Sequence, residues 1–227
     1  MYKVEYDGKT NEDFFAILYD FPQLSLGQKK YDTHQIPGRY GDLVGQTVSV
    51  GNASLTAVFS ILSDTFIQNI LELKKWLSGT GKLKLSDNPN RYYNVLKIDY
   101  GDIERDIRKY GRFTVTFTVD PYLYRDDGDF EYDSIRYNPY DQCAPIYQIT
   151  GEGKCTLMVN GKTMTAEVGQ NLTIDTRLMI SYRKDGSMQN TSVTGDYEDL
   201  WLSSGESDIN ITEGFDLKII PKWGYRL

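Results

Sequence analysis

Between Arg112 and Val119 the chain alternates without interruption: Phe113, Val115, Phe117 and Val119 are apolar, while Arg112, Thr114, Thr116 and Thr118 are polar. Successive side chains of a strand point to opposite faces, so this run suits a half-buried antiparallel strand and little else. Leu55, Ala57, Phe59 and Ile61 repeat the pattern, after Thr47-Val48-Ser49-Val50 and a Gly51-Asn52 turn. The runs flanking that turn are expected to form a hairpin.

Only between Ser63 and Gly79 does the period lengthen to about 3.6. Phe66, Ile70, Leu73 and Leu77 form one stripe, with Ile67 and Leu71 beside it and Trp76 off it. Ser63 or Asp64 can cap the first turn, Lys74 and Lys75 oppose the negative end of the dipole, and Gly79 ends the helix. The stripe is expected to cover a sheet rather than to receive a partner. Leu83-Lys84-Leu85 and Arg91 to Ile98 then read as strands around a Ser86-Asp87-Asn88-Pro89 turn.

From Pro121 to Pro145 the composition shifts to Tyr, Asp and Pro without a sustained period, which marks a domain boundary. Beyond it, Cys155 to Val159 turns at Asn160-Gly161 into Lys162 to Ala166, the strongest hairpin signal in the chain, and a second turn falls at Asp185-Gly186. Short apolar runs around Leu172, Ile174, Met179-Ile180, Ile209, Ile211, Leu217 and Ile219 complete a small β-sandwich. The expected organisation is a front β-domain with one helix over residues 1–125, a linker over 126–141 and a C-terminal β-sandwich over 142–227.

The chemistry on offer is sparse. Of 227 residues one is His and two are Cys, so a catalytic triad or a zinc site would have to share His34. His34 is expected to be a solvated loop imidazole, and Cys143 and Cys155 small packed residues in a reducing compartment. Paired carboxylates need no His; Asp126, Asp127 and Asp129, or Glu198 and Asp199, are the candidates for glycoside hydrolysis, but neighbouring acids in a turn usually face solvent. The same Asp-Asp-Gly-Asp run lacks the spaced ligands of a calcium loop. Gly38, Gly41 and Gly45 lack the Lys-Ser/Thr ending of a phosphate loop. No catalytic residue, cofactor or metal is expected. A net charge of −7 disfavours a partner whose affinity rests on neutralised phosphates. The N-terminal residues lack the order of a signal peptide, and no apolar run is long enough to span a bilayer, so a soluble, unprocessed chain is expected.

The segment Ile36-Pro37-Gly38-Arg39-Tyr40-Gly41-Asp42 reads as a tight turn in which Pro37 fixes one dihedral, Gly38 and Gly41 permit positive φ, and Arg39 and Asp42 supply charge. Arg39 and Asp42 either pair with each other or serve a contact between subunits. The segment resembles the Pro-Gly-Arg-x-Gly turn of siphophage distal tail proteins. The order of later landmarks is similar too: a helix ending in Lys75-Trp76-Leu77, then Asp87 to Tyr93, then the Phe113 to Phe117 strand reaching Pro121-Tyr122, and finally Pro221-Lys222-Trp223. Tyr40 stands where the family often has Asp, and Gly224 where a basic residue is common.

The resemblance implies a mainly β, two-domain protein: an N-terminal β-sandwich with one α-helix and a hairpin, and a small galectin-like C-terminal β-sandwich. It implies a homohexameric ring at the tail tip of the virion, assembled in the host cytoplasm, that joins the tail tube protein to the hub protein or tail-associated lysin and lets DNA pass. A receptor-binding protein is a further candidate partner; specific nucleic-acid binding and membrane contact are not expected. Ile36, Pro37, Gly38, Arg39, Gly41 and Asp42 are the candidate interface residues. The rival is a carbohydrate-binding module contacting the host cell wall, with Tyr197 and Trp201 stacking on sugar rings.

Overall fold

The computed structural model describes residues 2–227, and their side chains except at 46–48. The chain is mainly β with a single α-helix, and it forms two compact units: residues 1–123 with 226–227, and residues 124–225.

In the first unit the strands are β1 (Val4–Tyr6), β2 (Lys9–Thr10), β3 (Ala16–Leu18), β4 (Gln23–Ser25), β5 (Lys29–His34), β6 (Leu43–Val50) and β7 (Ala53–Leu62). After α1 (Phe66–Trp76) come β8 (Gly81–Leu85), β9 (Arg91–Ile107) and β10 (Tyr110–Arg125). The main sheet runs β2-β1-β8-β9-β10-β7-β3, with β4 also on β7. The alternating runs are its centre: Phe113 faces Phe59, Val115 faces Ala57, and Phe117 faces Leu55, all on the buried side. A fully buried Phe or Leu side chain gains about 1.5–3 kcal/mol from leaving water, so this inward row fixes the register.

The helix closes that core with Phe66, Ile70, Leu73 and Leu77, while Ile67 and Leu71 stay exposed. Its N-cap is Thr65, with no side-chain capping bond; Ser63 Oγ instead accepts the Thr65 N–H at 3.1 Å. Lys74 and Lys75 fill the last turn as the dipole favours. Trp76, at the margin of the stripe, donates from Nε1 to the Tyr6 carbonyl at 2.9 Å and stacks on Phe14 with ring centroids 4.6 Å apart.

The Gly51-Asn52 turn does not make the expected hairpin. β6 pairs with β5, and β7 pairs with β10, β3 and β4. Period two records which face is buried and is silent about the neighbour. β7 buries Ala53, Leu55, Ala57, Phe59 and Ile61 and so takes a central place, while β5 and β6 form a separate two-stranded sheet.

In the second unit, β11 (Tyr137–Asn138) is followed by β12 (Ile146–Val159), β13 (Lys162–Asp175), β14 (Ile180–Tyr182), β15 (Val193–Thr194), β16 (Gly205–Glu206), β17 (Ile209–Ile211), β18 (Asp216–Ile220) and β19 (Gly224–Arg226), the last reaching into the final residues of the chain. β12 and β13 are the expected hairpin, paired from Val159–Lys162 to Ile146–Asp175, with Asn160 at φ +49 and Gly161 at φ +80 as a primed turn requires. The sheet order is β14-β13-β12-β17, with β15 on β13 and β18 on β12, and β11 pairs with β16. Tyr147, Ile149, Leu157, Met164, Ile174 and Leu202 lie in its buried core. Residues 126–141, expected as a linker, belong to this unit: Asn138 is fully buried, donating to the carbonyls of Asp141 at 3.0 Å and Leu202 at 3.4 Å.

Candidate assembly surface

The residues of the Pro-Gly-Arg turn lie together, in the loop joining β5 to β6. Every residue from Gln28 to Gly45 is exposed, Ile36, Pro37, Gly38, Arg39, Gly41 and Asp42 among them. Gly38 and Gly41 take φ of +81° and +80°, and the Arg39 N–H donates to the Ile36 carbonyl at 3.1 Å. No Arg39–Asp42 ion pair forms among the described residues, so both charges face outward. Below the loop, Thr33 stands opposite Val44 and His34 opposite Leu43. His34 is therefore in a strand rather than a loop, its Nε2 2.9 Å from Asp32 Oδ2.

This arm is unusual in what it exposes. Tyr31, Ile36, Tyr40, Leu43, Val44 and Val50 are exposed large apolar residues within one two-stranded ribbon, and Tyr40 is fully so. A ribbon with no third strand leaves backbone donors and acceptors along both outer edges. Two register irregularities, at Lys30/Tyr31 and Tyr31/Thr33, twist it.

Two further parts of the first unit share this character. β9 and β10 extend well past the core as a charged arm, with residues 99–109 all exposed and Ile103 and Ile107 among them. There Arg112 bridges to Glu104 at 3.2 Å and covers the ring of Tyr19 at 4.9 Å. Along the β3–β4 edge of the sheet, Phe15, Ile17, Tyr19, Phe21, Leu24 and Leu26 are exposed. Neither feature was anticipated; the sign of the second was a cluster of aromatic and aliphatic residues around Pro22 that fits no period.

No known family profile matches the chain, and no curated protein does. Among solved structures, SPP1 Dit, presented as a paradigm of the hub adsorption apparatus in phages that infect Gram-positive bacteria, aligns with a TM-score of 0.68 over 96% of this chain and 98% of its own, at 14% identity. The chain is similar in fold to SPP1 Dit. The likeness to Dit spans both units, and the mainly β, two-domain expectation holds. At that identity Dit speaks for the backbone, and the side-chain chemistry belongs to this chain alone.

At several of the other candidate positions the polar groups are engaged in local bonds. Asp127 accepts from Arg125 Nε at 2.9 Å and Nη2 at 2.7 Å, and from Trp223 Nε1 at 2.9 Å. The Arg125 guanidinium holds the Asp127 carboxyl below its ordinary value, with Trp223 adding to the effect. Asp129 pairs with Lys222 at 2.5 Å, and Asp199 lies 3.5 Å from Lys162. Both cysteines are free and buried, and burial pushes the Cys143 thiol up to about 12, which leaves no thiolate for nucleophilic work. Tyr197 hydrogen-bonds the Ser181 hydroxyl at 2.9 Å, Trp201 Nε1 donates to the Thr176 carbonyl at 3.4 Å, and both side chains are half-buried. Among the described residues no cluster of three or more His, Cys, Asp or Glu is placed to hold a metal, and no helix is long and apolar enough to cross a membrane.

Proposed function

We propose that this protein is a structural component of a phage tail tip: a homohexameric ring that joins the tail tube to the hub protein or tail-associated lysin and leaves a path for DNA. The observation that carries the reading is the fold shared with SPP1 Dit over nearly the whole of both chains. The surface of the first unit supports it. A two-stranded ribbon is marginal on its own in water, and one bearing exposed Tyr, Ile, Leu and Val is stabilised by a partner. A closed ring uses a heterologous contact, in which two different patches of each subunit meet. The β5–β6 arm and the β3–β4 edge are two such patches, with the Ile36 to Asp42 loop at the contact. The role is structural rather than catalytic, and the excess of acids suits a channel that DNA must cross without sticking.

Light scattering over a range of concentrations, on the protein alone and with the tail-hub protein, tests this. A discrete six-fold species is expected in at least one condition, and a persistent monomer in both would overturn the ring.

A further inference from the structure

The second unit carries a cavity lined mostly by polar residues. Lys218, Gln148, Thr173 and Tyr182 stand opposite one another across β18, β12, β13 and β14. Directly opposed residues of antiparallel strands share a face, so these four side chains form one row. Two residues along, Thr150 stands opposite Asn171, whose Oδ1 accepts the Lys184 N–H at 2.8 Å. The neighbouring positions Tyr147 and Ile174 point the other way, into the core, which places both rows on the outer face. Lys218, Gln148, Thr173, Thr150 and Asn171 of these rows, with Glu131, Lys184, Ile149 and Leu172, line a cavity of about 410 Å³, within the usual range for small-ligand sites.

The lining defines a ligand class. Gln148 and Asn171 offer amides and Thr150 and Thr173 hydroxyls, so donors and acceptors lie side by side. Sugar hydroxyls, which donate and accept at once, satisfy such a mixture, whereas an apolar ligand would leave it unpaired. Charge differs between the ends. Lys218 is ion-paired with Asp133 and lies near Glu131, so that end has no net positive charge. Lys184, at the β14 end, pairs with no carboxylate among the described residues. The row from Lys218 to the β14 strand spans three strand spacings, about 14 Å.

We propose that this face of the second unit binds a short acidic saccharide, its hydroxyls held by Gln148, Asn171 and Thr173 and its anionic group by Lys184. The site is distinct from Tyr197 and Trp201 and does not depend on the ring.

Saturation-transfer and nitrogen–proton shift mapping by NMR on the full chain test it, with cellobiuronic acid as the acidic probe and cellobiose as its neutral counterpart. Shifts are expected only around β12, β13, β14 and β18, with the acidic probe favoured by roughly tenfold at low salt. Gln148→Ala should weaken both probes about tenfold, and Lys184→Gln should erase the preference while leaving neutral binding intact. Both positions are on the surface, and circular dichroism confirms that the variants fold. No transfer at millimolar probe, shifts elsewhere, or unchanged binding in Gln148→Ala would overturn the proposal. Native mass of the same variants reads the ring separately, so one can fail without the other.

Discussion

Asp127 shows how much of the second unit's local order rests on one carboxylate. It joins Arg125, just upstream, to Trp223, near the end of the unit, and Tyr132 donates to its carbonyl at 3.1 Å. Because its carboxyl is held below the ordinary 3.8, its stabilising contribution is present in full above that value and is lost as pH falls through the lower folded value. Asp127→Asn is expected to cost about 1–2 kcal/mol at neutral pH. The gap between wild type and variant should close as the medium is made acid below 3.8, followed by denaturant melts on tryptophan emission. Gly111 is a second such position. A Cβ there would meet Phe66 Cζ at 2.6 Å and press on the Glu104 carbonyl, both fixed by the core and the β9–β10 pairing. Gly111→Ala should therefore destabilise the first unit by about 1–3 kcal/mol, seen as a lower Tm.

At the scale of elements, the β5–β6 arm is a structure whose side chains do little for its own subunit. Arg39→Ala should leave the monomer's stability within about 0.5 kcal/mol, as for most surface changes, while weakening self-association several-fold; calorimetry beside sedimentation separates the two. Equal loss of both would make the loop local structure only. The arm also marks the limit of what the amino-acid pattern discloses. Runs with a buried face were legible: Phe113 to Val119, Leu55 to Ile61, the Phe66 to Leu77 stripe and the Asn160-Gly161 hairpin all stand as expected. Partners were not, since the alternation of β7 is the same whichever strand lies beside it. The charged stretch from Asp99 to Lys109 buries no face, so it carried no period to read, yet it continues β9 almost to the start of β10. The Ile36 to Asp42 turn was visible through its Pro and Gly residues, whereas the edge at Phe15 to Leu26 showed only as apolar residues without a period, which does not by itself say whether they are buried or exposed.

The path of the whole chain has its own consequence. The second unit begins at Tyr124 and ends at Tyr225, and the last two residues rejoin the first unit, where the Leu227 N–H donates to the Pro121 carbonyl at 3.1 Å. Within the second unit the Arg125 N–H donates to the Trp223 carbonyl, also at 3.1 Å, so its entry and exit strands are hydrogen-bonded neighbours. A segment whose ends meet can be removed with little cost in chain closure. Replacing residues 126–222 by a short Gly-Ser bridge is expected to leave the front unit folded, with its amide NMR spectrum retained away from the junction. The second unit is thus a cassette entered and left at one point of the chain: another fold can take its place over evolutionary time while the hydrogen-bonded pair at its ends stays the same.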